Sequence, residues 1–352
     1  MKLGLLGQKS LLWTLRTAFF PWALTSSAAR ADTGASNGIT NIFKPLSTPA
    51  EAIYEVSVLV LTICAGIFLI VGGLLAYTLI RFRRRPEDDG REPPQIYGSN
   101  QIELAWTVIP ILIVFVLILV TARTIADVQN AARPAGALDV TVVGHQWWWE
   151  IRYPELGIVT ANELHVPVSD PTKRRPTFLK LESADVAHSF WVPQLAGKTD
   201  AIPNRDNRMW IEPKQPGTYL GNCAEYCGTQ HARMLLRVIV HPPGEFEQWV
   251  EAQRQPPVDD SQVQAGRNVF FSTSCVNCHA INGTRADGKF GPDLTHLMSR
   301  ETLGSGAAPN TPEKLRVWLR DPQLLKEGCL MPNMQLADTE LDHLVAYLLT
   351  LK

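Results

Sequence analysis

The sequence predicts a chain of three successive parts: a two-helix transmembrane hairpin, an all-β domain and a small all-α domain. Two long apolar runs come first, short β-rich runs separated by Pro and Gly follow, and a Cys-x-x-Cys-His motif precedes further helical segments. A length of 352 residues is enough for two or three domains. The net charge of −1 shows no global bias toward nucleic acid, so we expect no nucleic-acid partner.

Residues 1–31 have the features of a signal peptide. A basic start is followed by the apolar run Leu11–Leu24 and by small residues that end at Ala31, after which we expect cleavage. Arg16 interrupts the apolar run, which leaves an uncleaved amphipathic anchor as the alternative. Residues 32–125 then form an N-terminal segment and the two transmembrane helices.

The two apolar runs are Ile53–Ile80 and Leu104–Ala122. Each is long enough to cross a bilayer, which takes roughly 20 residues, and Pro110 indicates a kink in the second. The arginine-rich run Arg81–Arg85 between them marks the cytoplasmic side, because basic residues collect there. We therefore expect a two-pass protein of the bacterial inner membrane, with everything after about residue 125 in the periplasm.

Residues 138–245 have the pattern of an all-β domain. Several short runs alternate apolar and polar residues or are rich in β-branched and aromatic residues, and Pro or Gly separates them, which is typical of a sandwich or barrel. These runs are Asp139–Val143, Trp147–Tyr153, Glu163–Val168, Thr177–Glu182, Met209–Glu212 and Met234–His241.

The segment Asn222–Met234 carries the most informative pattern of the chain. Its spacing is C-x3-C-x3-H-x2-M, and His188 lies upstream. Thiolate, imidazole and thioether groups are ligands that suit copper held for electron transfer. Two nearby cysteines in an exported domain are more often a disulfide, so that alternative stays open from the residues alone.

A second motif follows a linker at Gln255–Asp260. Cys275-Val276-Asn277-Cys278-His279 is the signature of covalent c-type haem attachment, in which two thiols add to the haem vinyl groups and the histidine binds iron. A redox dithiol or half of a zinc site is the alternative. An amphipathic run at Gln262–Phe271 and a closing apolar run at Leu341–Leu349 favour the haem.

Together these motifs resemble known families. Residues from about 50 to 245 resemble subunit II of cytochrome c oxidase, a haem-copper oxidase, and residues 260–352 resemble a class I cytochrome c fused to it. The resemblance implies a cupredoxin-like Greek-key fold for residues 138–245 and a cytochrome c domain for residues 260–352.

The resemblance also implies a binuclear copper A centre, in which both thiolates bridge two copper ions. Each histidine caps one ion, Glu225 contributes its backbone carbonyl, and the Glu225 side chain reaches a magnesium ion shared with the catalytic subunit. The implied copper ligands are His188, Cys223, Glu225, Cys227, His231 and Met234.

Other roles follow from the same resemblance. Trp147 is where electrons enter the copper centre, and Glu103 lies at the mouth of a proton path. A residue that begins a helix in solvent is the ordinary alternative for Glu103. The mixed-charge loop Leu195–Arg205 packs on the catalytic subunit through Asp200 and Arg205.

In the C-terminal domain, His279 is the proximal iron ligand and the Pro292 carbonyl orients its other ring nitrogen. Met331, which Pro332 follows, is the distal ligand, with Met334 as the alternative. A Met/His pair raises the reduction potential of haem iron, which suits a carrier close to the oxidase.

The resulting hypothesis is an electron-transfer subunit of a proton-pumping oxidase that reduces oxygen to water. We expect oxygen chemistry in subunit I, because this chain lacks the cluster of intramembrane histidines that such chemistry requires. The other expected partners are subunit III, the lipid membrane and a periplasmic donor such as a cytochrome c. The alternatives are a quinol oxidase subunit, whose branch has lost the copper ligands, the copper A subunit of a nitric or nitrous oxide reductase, and a membrane-anchored copper chaperone.

Overall fold

The computed structural model describes residues 41–86, 90, 92, 94–129, 133–170, 172, 174–257 and 260–352. The signal peptide predicted for residues 1–31, with cleavage after Ala31, therefore lies outside the described residues.

Two long helices, α1 (Thr48–Arg81) and α2 (Asn100–Val128), form the hairpin. Both are long and apolar enough to cross a membrane, and their large apolar side chains are mostly exposed; Phe68, for example, is 74% exposed. Surfaces of this kind are stable in lipid rather than in water. Each helix contains one predicted apolar run and extends beyond it at both ends, and Pro110 lies inside α2.

The β domain has ten strands in the part of the chain that the structure describes. In chain order they are β1 (Leu138–His145), β2 (Trp148–Tyr153), β3 (Ile158–Ala161), β4 (Glu163–Pro167), β5 (Thr177–Ser183), β6 (His188–Trp191), β7 (Thr199–Ala201), β8 (Asn207–Ile211), β9 (Gly217–Cys223) and β10 (Leu235–His241). One sheet has the order β3-β2-β1-β5-β8 and the other has the order β4-β10-β9-β6-β7.

The core of this domain contains apolar side chains from both sheets. In β5, Leu179 and Leu181 are fully buried whereas Lys180 between them is partly exposed, as expected for side chains that alternate along a strand. Strands β1 and β5 pair in parallel, as do β4 and β10, so the chain crosses over between them. The prediction of a cupredoxin-like β-sandwich is confirmed.

Six strands match the predicted runs, and β3, β6, β7 and β9 were missed. The segment Leu195–Arg205, interpreted as a loop, contains the short strand β7, whose Ala201 pairs with His188 of β6. Strand β9 contains Gly221, where a Cβ atom would lie 2.6 Å from the carbonyl oxygen of Trp191. Strands β3, β6 and β7 have four residues or fewer, which is too short for apolar alternation to be recognised in the sequence.

The C-terminal domain follows α3 (Glu245–Arg254), which packs Phe246 and Val250 on the sandwich. Its elements are α4 (Gln264–Ser272), α5 (Cys275–Cys278), β11 (Thr302–Leu303), β12 (Ala308–Pro309), α6 (Pro312–Arg320) and α7 (Asp338–Leu348). The predicted helical domain is confirmed, with the small ladder of β11 and β12 as an addition that the sequence did not predict.

Helices α4 and α7 cross at Gly266. A Cβ atom on Gly266 would lie 1.9 Å from the carbonyl oxygen of His343 and 2.8 Å from Cβ of Tyr347. Neither neighbour is the flexible end of a side chain, so a larger residue must push the helices apart. We expect Gly266→Ala to lower the free energy of unfolding of this domain by about 3 kcal/mol, measured by urea denaturation of the full chain.

Ala265→Ser is the matched control for this prediction, because Ala265 is the exposed neighbour of Gly266 on α4. We expect it to change the free energy of unfolding by less than about 0.5 kcal/mol. Equal denaturation midpoints for Gly266→Ala and the unmodified chain would show that the crossing tolerates a methyl group.

Candidate functional site

The ends of two neighbouring strands and the loop after them bring the predicted copper ligands together. His188 is the first residue of β6 and Cys223 is the last residue of β9. The two strands pair, with Phe190 opposite Cys223, so both ligands lie at the same end of the sheet. The loop that follows carries Cys227 and reverses at Gly228, whose φ of +114° favours glycine.

The remaining predicted ligands lie where the chain returns to the sheet. His231 opens a short 3-10 helix, and Met234 lies directly before β10. The backbone N–H of Cys223 donates to the carbonyl of Met234 at 3.0 Å, which continues the pairing of β9 with β10. Strand pairing therefore fixes the first and last ligands of the motif against each other.

Sulfur and nitrogen atoms of these residues form a compact set. The Sγ atoms of Cys223 and Cys227 are 3.8 Å apart. Nδ1 of His188 lies 3.9 Å from the Cys223 sulfur, and Nδ1 of His231 lies 3.6 Å from the Cys227 sulfur. Sδ of Met234 is 3.9 Å from the Cys227 sulfur. Two neighbouring sulfurs with one imidazole near each form a set of soft donors, and His188, Cys223 and Cys227 lie close enough together to hold a metal ion.

The geometry does not correspond to a disulfide. A sulfur separation of 3.8 Å is almost twice the length of an S–S bond, and both cysteines are free thiols. The carbonyl oxygen of Glu225 lies 3.2 Å from Sγ of Cys223 and offers a further ligand atom, whereas the Glu225 side chain is exposed. Thiolate, imidazole and thioether ligands fit copper and fit a hard cation poorly.

The two thiols differ in acidity. The hydrogen bond from Cys227 lowers the pKa of Cys223 to about 3; burial opposes this shift and the hydrogen bond with His188 supports it. The neighbouring sulfur in turn raises the pKa of Cys227. One thiolate therefore forms readily, and we expect the second proton to leave when a cation binds between the sulfurs.

Asp185 is a site residue that the sequence reasoning missed. Its Oδ1 atom accepts a hydrogen bond from Nε2 of His188 at 2.8 Å, which leaves Nδ1 of His188 for a metal. Burial alone would raise the pKa of Asp185, but hydrogen bonds from His188 and from the N–H groups of Val186 and Gln146 hold it below its usual value. The one available signal was an acidic residue three positions before a ligand histidine.

Trp147 contacts the segment between Cys223 and Met234, which carries predicted copper ligands and is called the copper loop below. Its indole Nε1 donates to the carbonyl oxygen of Cys227 at 2.9 Å, and Nε2 of Gln146 donates to the same oxygen at 2.8 Å. The neighbouring His145 points elsewhere: its Nε2 lies 3.0 Å from Oε2 of Glu150, and its ring stacks on Trp148. The structure thus brings Trp147, but not His145, into contact with a ligand residue.

A mainly apolar cleft of about 200 Å³ occupies the C-terminal domain. Cys275, Cys278 and His279 line it together with both candidate methionines, Met331 and Met334. This is the arrangement that a covalently attached haem requires, with two thiols, an imidazole and a thioether around one apolar space. Trp147 of the sandwich also lines this cleft.

His279 is oriented for metal binding. Its Nδ1–H donates to the carbonyl oxygen of Pro292 at 2.7 Å, which leaves Nε2 for iron. Burial lowers the pKa of His279, which favours the neutral ring, the form that binds a metal. A Cβ atom on Gly291 would lie 2.6 Å from Cε1 of His279, so glycine is needed for the backbone to pass this close to the ring.

Three further predicted residues are Glu103, Asp200 and Arg205, and Asp200 pairs with Ser189, the neighbour of His188. Glu103 is exposed in the first turn of α2. Asp200 lies on β7 and is partly buried, and Arg205 is exposed just before β8. Each is accessible to a partner, which is what their predicted roles require.

Comparison with protein families gives three matches along the chain. The model for the cytochrome c oxidase subunit II transmembrane domain matches residues 36–123, and the model for its periplasmic domain matches residues 138–241. The cytochrome c model matches residues 263–352.

Individual relatives agree with these matches. Cytochrome c oxidase subunit 2 of Alkalihalophilus pseudofirmus is 33% identical over 348 residues, which cover 97% of this chain and 98% of that protein. The subunit 2 of Bacillus sp. PS3 is 34% identical over 291 residues, which cover 77% and 80%. Among solved structures, the periplasmic domain of cytochrome oxidase subunit II of Bradyrhizobium japonicum is 31% identical with a TM-score of 0.32, covering 34% of this chain and 96% of that chain.

Proposed function

The chain belongs to the cytochrome c oxidase subunit II family, and we propose that it passes electrons from a covalent haem c in its C-terminal domain to a copper A centre and on to the catalytic subunit. As a subunit of an oxidase complex, it is anchored in the membrane and carries a periplasmic domain. The observation that carries the proposal is the position of Trp147, which lines the haem cleft and also donates a hydrogen bond to the backbone of the ligand Cys227.

The donor atoms of the proposed copper centre already lie close together, so metal binding would move these residues little. When bound, the copper A centre would supply a one-electron carrier. Cys223, Cys227, His188 and His231 would hold it, together with Met234 and the Glu225 carbonyl. Asp185 holds the His188 ring through its Nε2–H, and the fully buried Met234 keeps water from the sulfurs.

In the C-terminal domain, Cys275 and Cys278 would attach the haem, and His279 and Met331 would hold its iron. The bound haem would supply a one-electron carrier of raised potential. Trp147 then lies between the two sites, and its indole and the Cys227 carbonyl form a bonded contact toward the copper loop. Electrons could therefore pass from the haem to the copper centre within this chain, without a diffusing electron carrier between them.

The contacts with the rest of the complex are also part of the proposal. The exposed carboxylate of Glu225 would reach a magnesium ion at the interface with the catalytic subunit, and the segment Leu195–Arg205 would pack beside it. Glu103 would stand at the mouth of a proton path in that subunit, so that oxygen reduction to water is coupled to proton pumping. A periplasmic cytochrome c would deliver electrons from outside, and subunit III would complete the bacterial inner-membrane complex.

A copper chaperone is the less suitable function for the same ligands. A protein that hands copper to a partner must expose its thiols, whereas Cys223 and Cys227 are only 2% and 3% exposed and His188 is fully buried. A covalent haem would also serve no purpose in copper transfer. The buried ligands and the neighbouring haem cleft support a fixed redox centre.

The test is spectroscopic, on the purified oxidase complex. We expect an electron paramagnetic resonance signal with more hyperfine lines than one copper nucleus can give, together with a low-spin c-type haem spectrum that persists after denaturation because the haem is covalent. A single-copper signal, or copper lost to a mild chelator, would contradict the copper A assignment. A haem that denaturation extracts would contradict the attachment.

A further inference from the structure

Lys326 is a buried lysine that the proposed electron path does not use. It follows the short 3-10 helix Pro322–Leu324 in the C-terminal domain and is only 3% exposed. Its Nζ donates three hydrogen bonds, to the carbonyl oxygens of Trp147 at 2.8 Å, Gly304 at 2.9 Å and Arg233 at 3.1 Å. An ammonium group has three N–H donors, so the site satisfies a protonated lysine completely.

Two of these three acceptors belong to the copper domain. The Trp147 carbonyl is on the residue whose indole contacts Cys227, and the Arg233 carbonyl directly precedes the ligand Met234. From the opposite domain, the ammonium of Lys326 therefore holds the backbone of a residue that contacts the copper loop and the backbone near the end of that loop. All three acceptors are neutral carbonyls, so the positive charge is not cancelled by any of the groups it is hydrogen-bonded to.

The residues after Lys326 continue this contact toward the haem ligand. At Gly328, whose φ is +84°, a Cβ atom would lie 3.0 Å from Cγ2 of Thr229 in the copper loop. Met331 follows three residues later and lines the haem cleft, as does Lys326 itself. The segment that carries the distal methionine thus lies directly on the loop that carries the copper ligands.

Other groups also hold the same interface, some of them next to the residues that Lys326 contacts. The buried carboxylate of Glu163 accepts hydrogen bonds from the N–H groups of Glu301 and Thr302 at 2.9 and 3.0 Å. Ser305 Oγ donates to the Leu235 carbonyl at 2.6 Å. Removal of Lys326 would therefore loosen the copper-loop side of the interface without releasing the domain.

Burying an ammonium among neutral groups is costly, and a lysine whose only task was to fill space would be replaced by an apolar residue at no loss. We propose that Lys326 is a positioning residue: it clamps the methionine segment of the C-terminal domain onto the copper loop and fixes a positive charge beside the haem cleft. This inference rests on the proposed function. It adds to that function the residue that sets the geometry between the haem and the copper centre.

The test uses Lys326→Met in the purified oxidase complex, because methionine keeps much of the side-chain length and volume but removes the charge and the three donors. Electron transfer from photoreduced haem c to copper A is followed by transient absorption, and the haem midpoint potential is measured by redox titration. We expect transfer to slow by about tenfold or more, since small misplacements of reacting groups have effects of that size. We also expect the haem potential to fall, because a cation beside the cleft favours the reduced haem.

Arg237→Gln is the matched control. It removes the Arg237–Glu301 ion pair, which crosses the same interface but is exposed to solvent. We expect its transfer rate to stay within about twofold of the unmodified complex, as exposed ion pairs contribute little. If the methionine variant does not assemble, the same two measurements are made on Lys326→Gln, whose side chain is shorter and uncharged.

The possible outcomes separate this inference from the proposed function. An unmodified complex without the shared-copper signal or the covalent haem spectrum overturns the proposed function, whatever Lys326 does. If both signals are present in the unmodified complex and in the Lys326 variant, an unchanged transfer rate or an unchanged haem potential overturns the clamp alone. A slowing in Arg237→Gln as large as in Lys326→Met overturns it as well.

Discussion

Replacing Cys227 with serine should remove the dicopper signal and lower oxygen uptake by the complex by more than about 100-fold, since even the outer partners of metal ligands contribute factors of 10 to 100. Cys227 is the most connected donor of the set: its sulfur lies within 4 Å of the sulfurs of Cys223 and Met234 and of Nδ1 of His231. A serine hydroxyl is harder and far less acidic than a thiol, so it cannot bridge two copper ions.

The measurements are copper content, electron paramagnetic resonance and oxygen uptake with a reduced donor, all on the purified complex. Cys64→Ser is the matched control, because Cys64 is an exposed cysteine of α1 far in sequence from the ligands. The haem spectrum of Cys227→Ser should persist, since the cleft has its own ligands. Retention of a shared-electron copper signal in this variant would mean that Cys227 is not a bridge.

Replacing Met331 with alanine should lower the reduction potential of the haem by on the order of 0.1 V or more, because axial ligands tune haem over a total range of roughly 0.8 V. A thioether sulfur favours the reduced iron, and its loss leaves the distal side to water or a stronger donor. Met331 is anchored for this role: it packs against the core of the C-terminal domain, and Nε2 of Gln323 lies 3.4 Å from its carbonyl oxygen.

Met334→Ala is the natural comparison, since both methionines line the cleft. We expect Met334→Ala to leave nearly unchanged both the reduction potential of the haem and the absorption band that the iron–methionine bond gives in the oxidised protein. Redox titration followed by visible spectroscopy separates the two variants. The reverse result, with the large shift in Met334→Ala, would transfer the distal role to Met334.

Local motifs made much of this site predictable. Cys223, Cys227, His231 and Met234 fall within one short segment, so their spacing alone indicated a set of soft ligands. The attachment motif at Cys275–His279 is local in the same way. The apolar runs of the membrane helices and the alternating core strands follow from burial, which acts on every residue of an element and leaves a period in the sequence.

Long-range contacts were not predictable from the same sequence. Strand β6 has the polar residues His188 and Ser189 fully buried, so its pattern does not alternate in the usual way. Lys326 contacts Trp147 across 179 residues, and nothing near Lys326 in the chain distinguishes it from a surface lysine. Such features depend on which backbone carbonyls two domains bring together, and that information exists only in the folded chain.

The burial of the copper ligands also sets an order for maturation. With His188, Cys223 and Cys227 at most 3% exposed, the closed domain leaves a metal donor little access to them. If the proposed copper centre is correct, copper would arrive before the loop closes or after the loop reopens. In the closed loop the two thiols lie 3.8 Å apart, close enough that a small movement would let them form a disulfide in an oxidising compartment. For the copper centre proposed above, both thiols must therefore stay reduced until the metal binds.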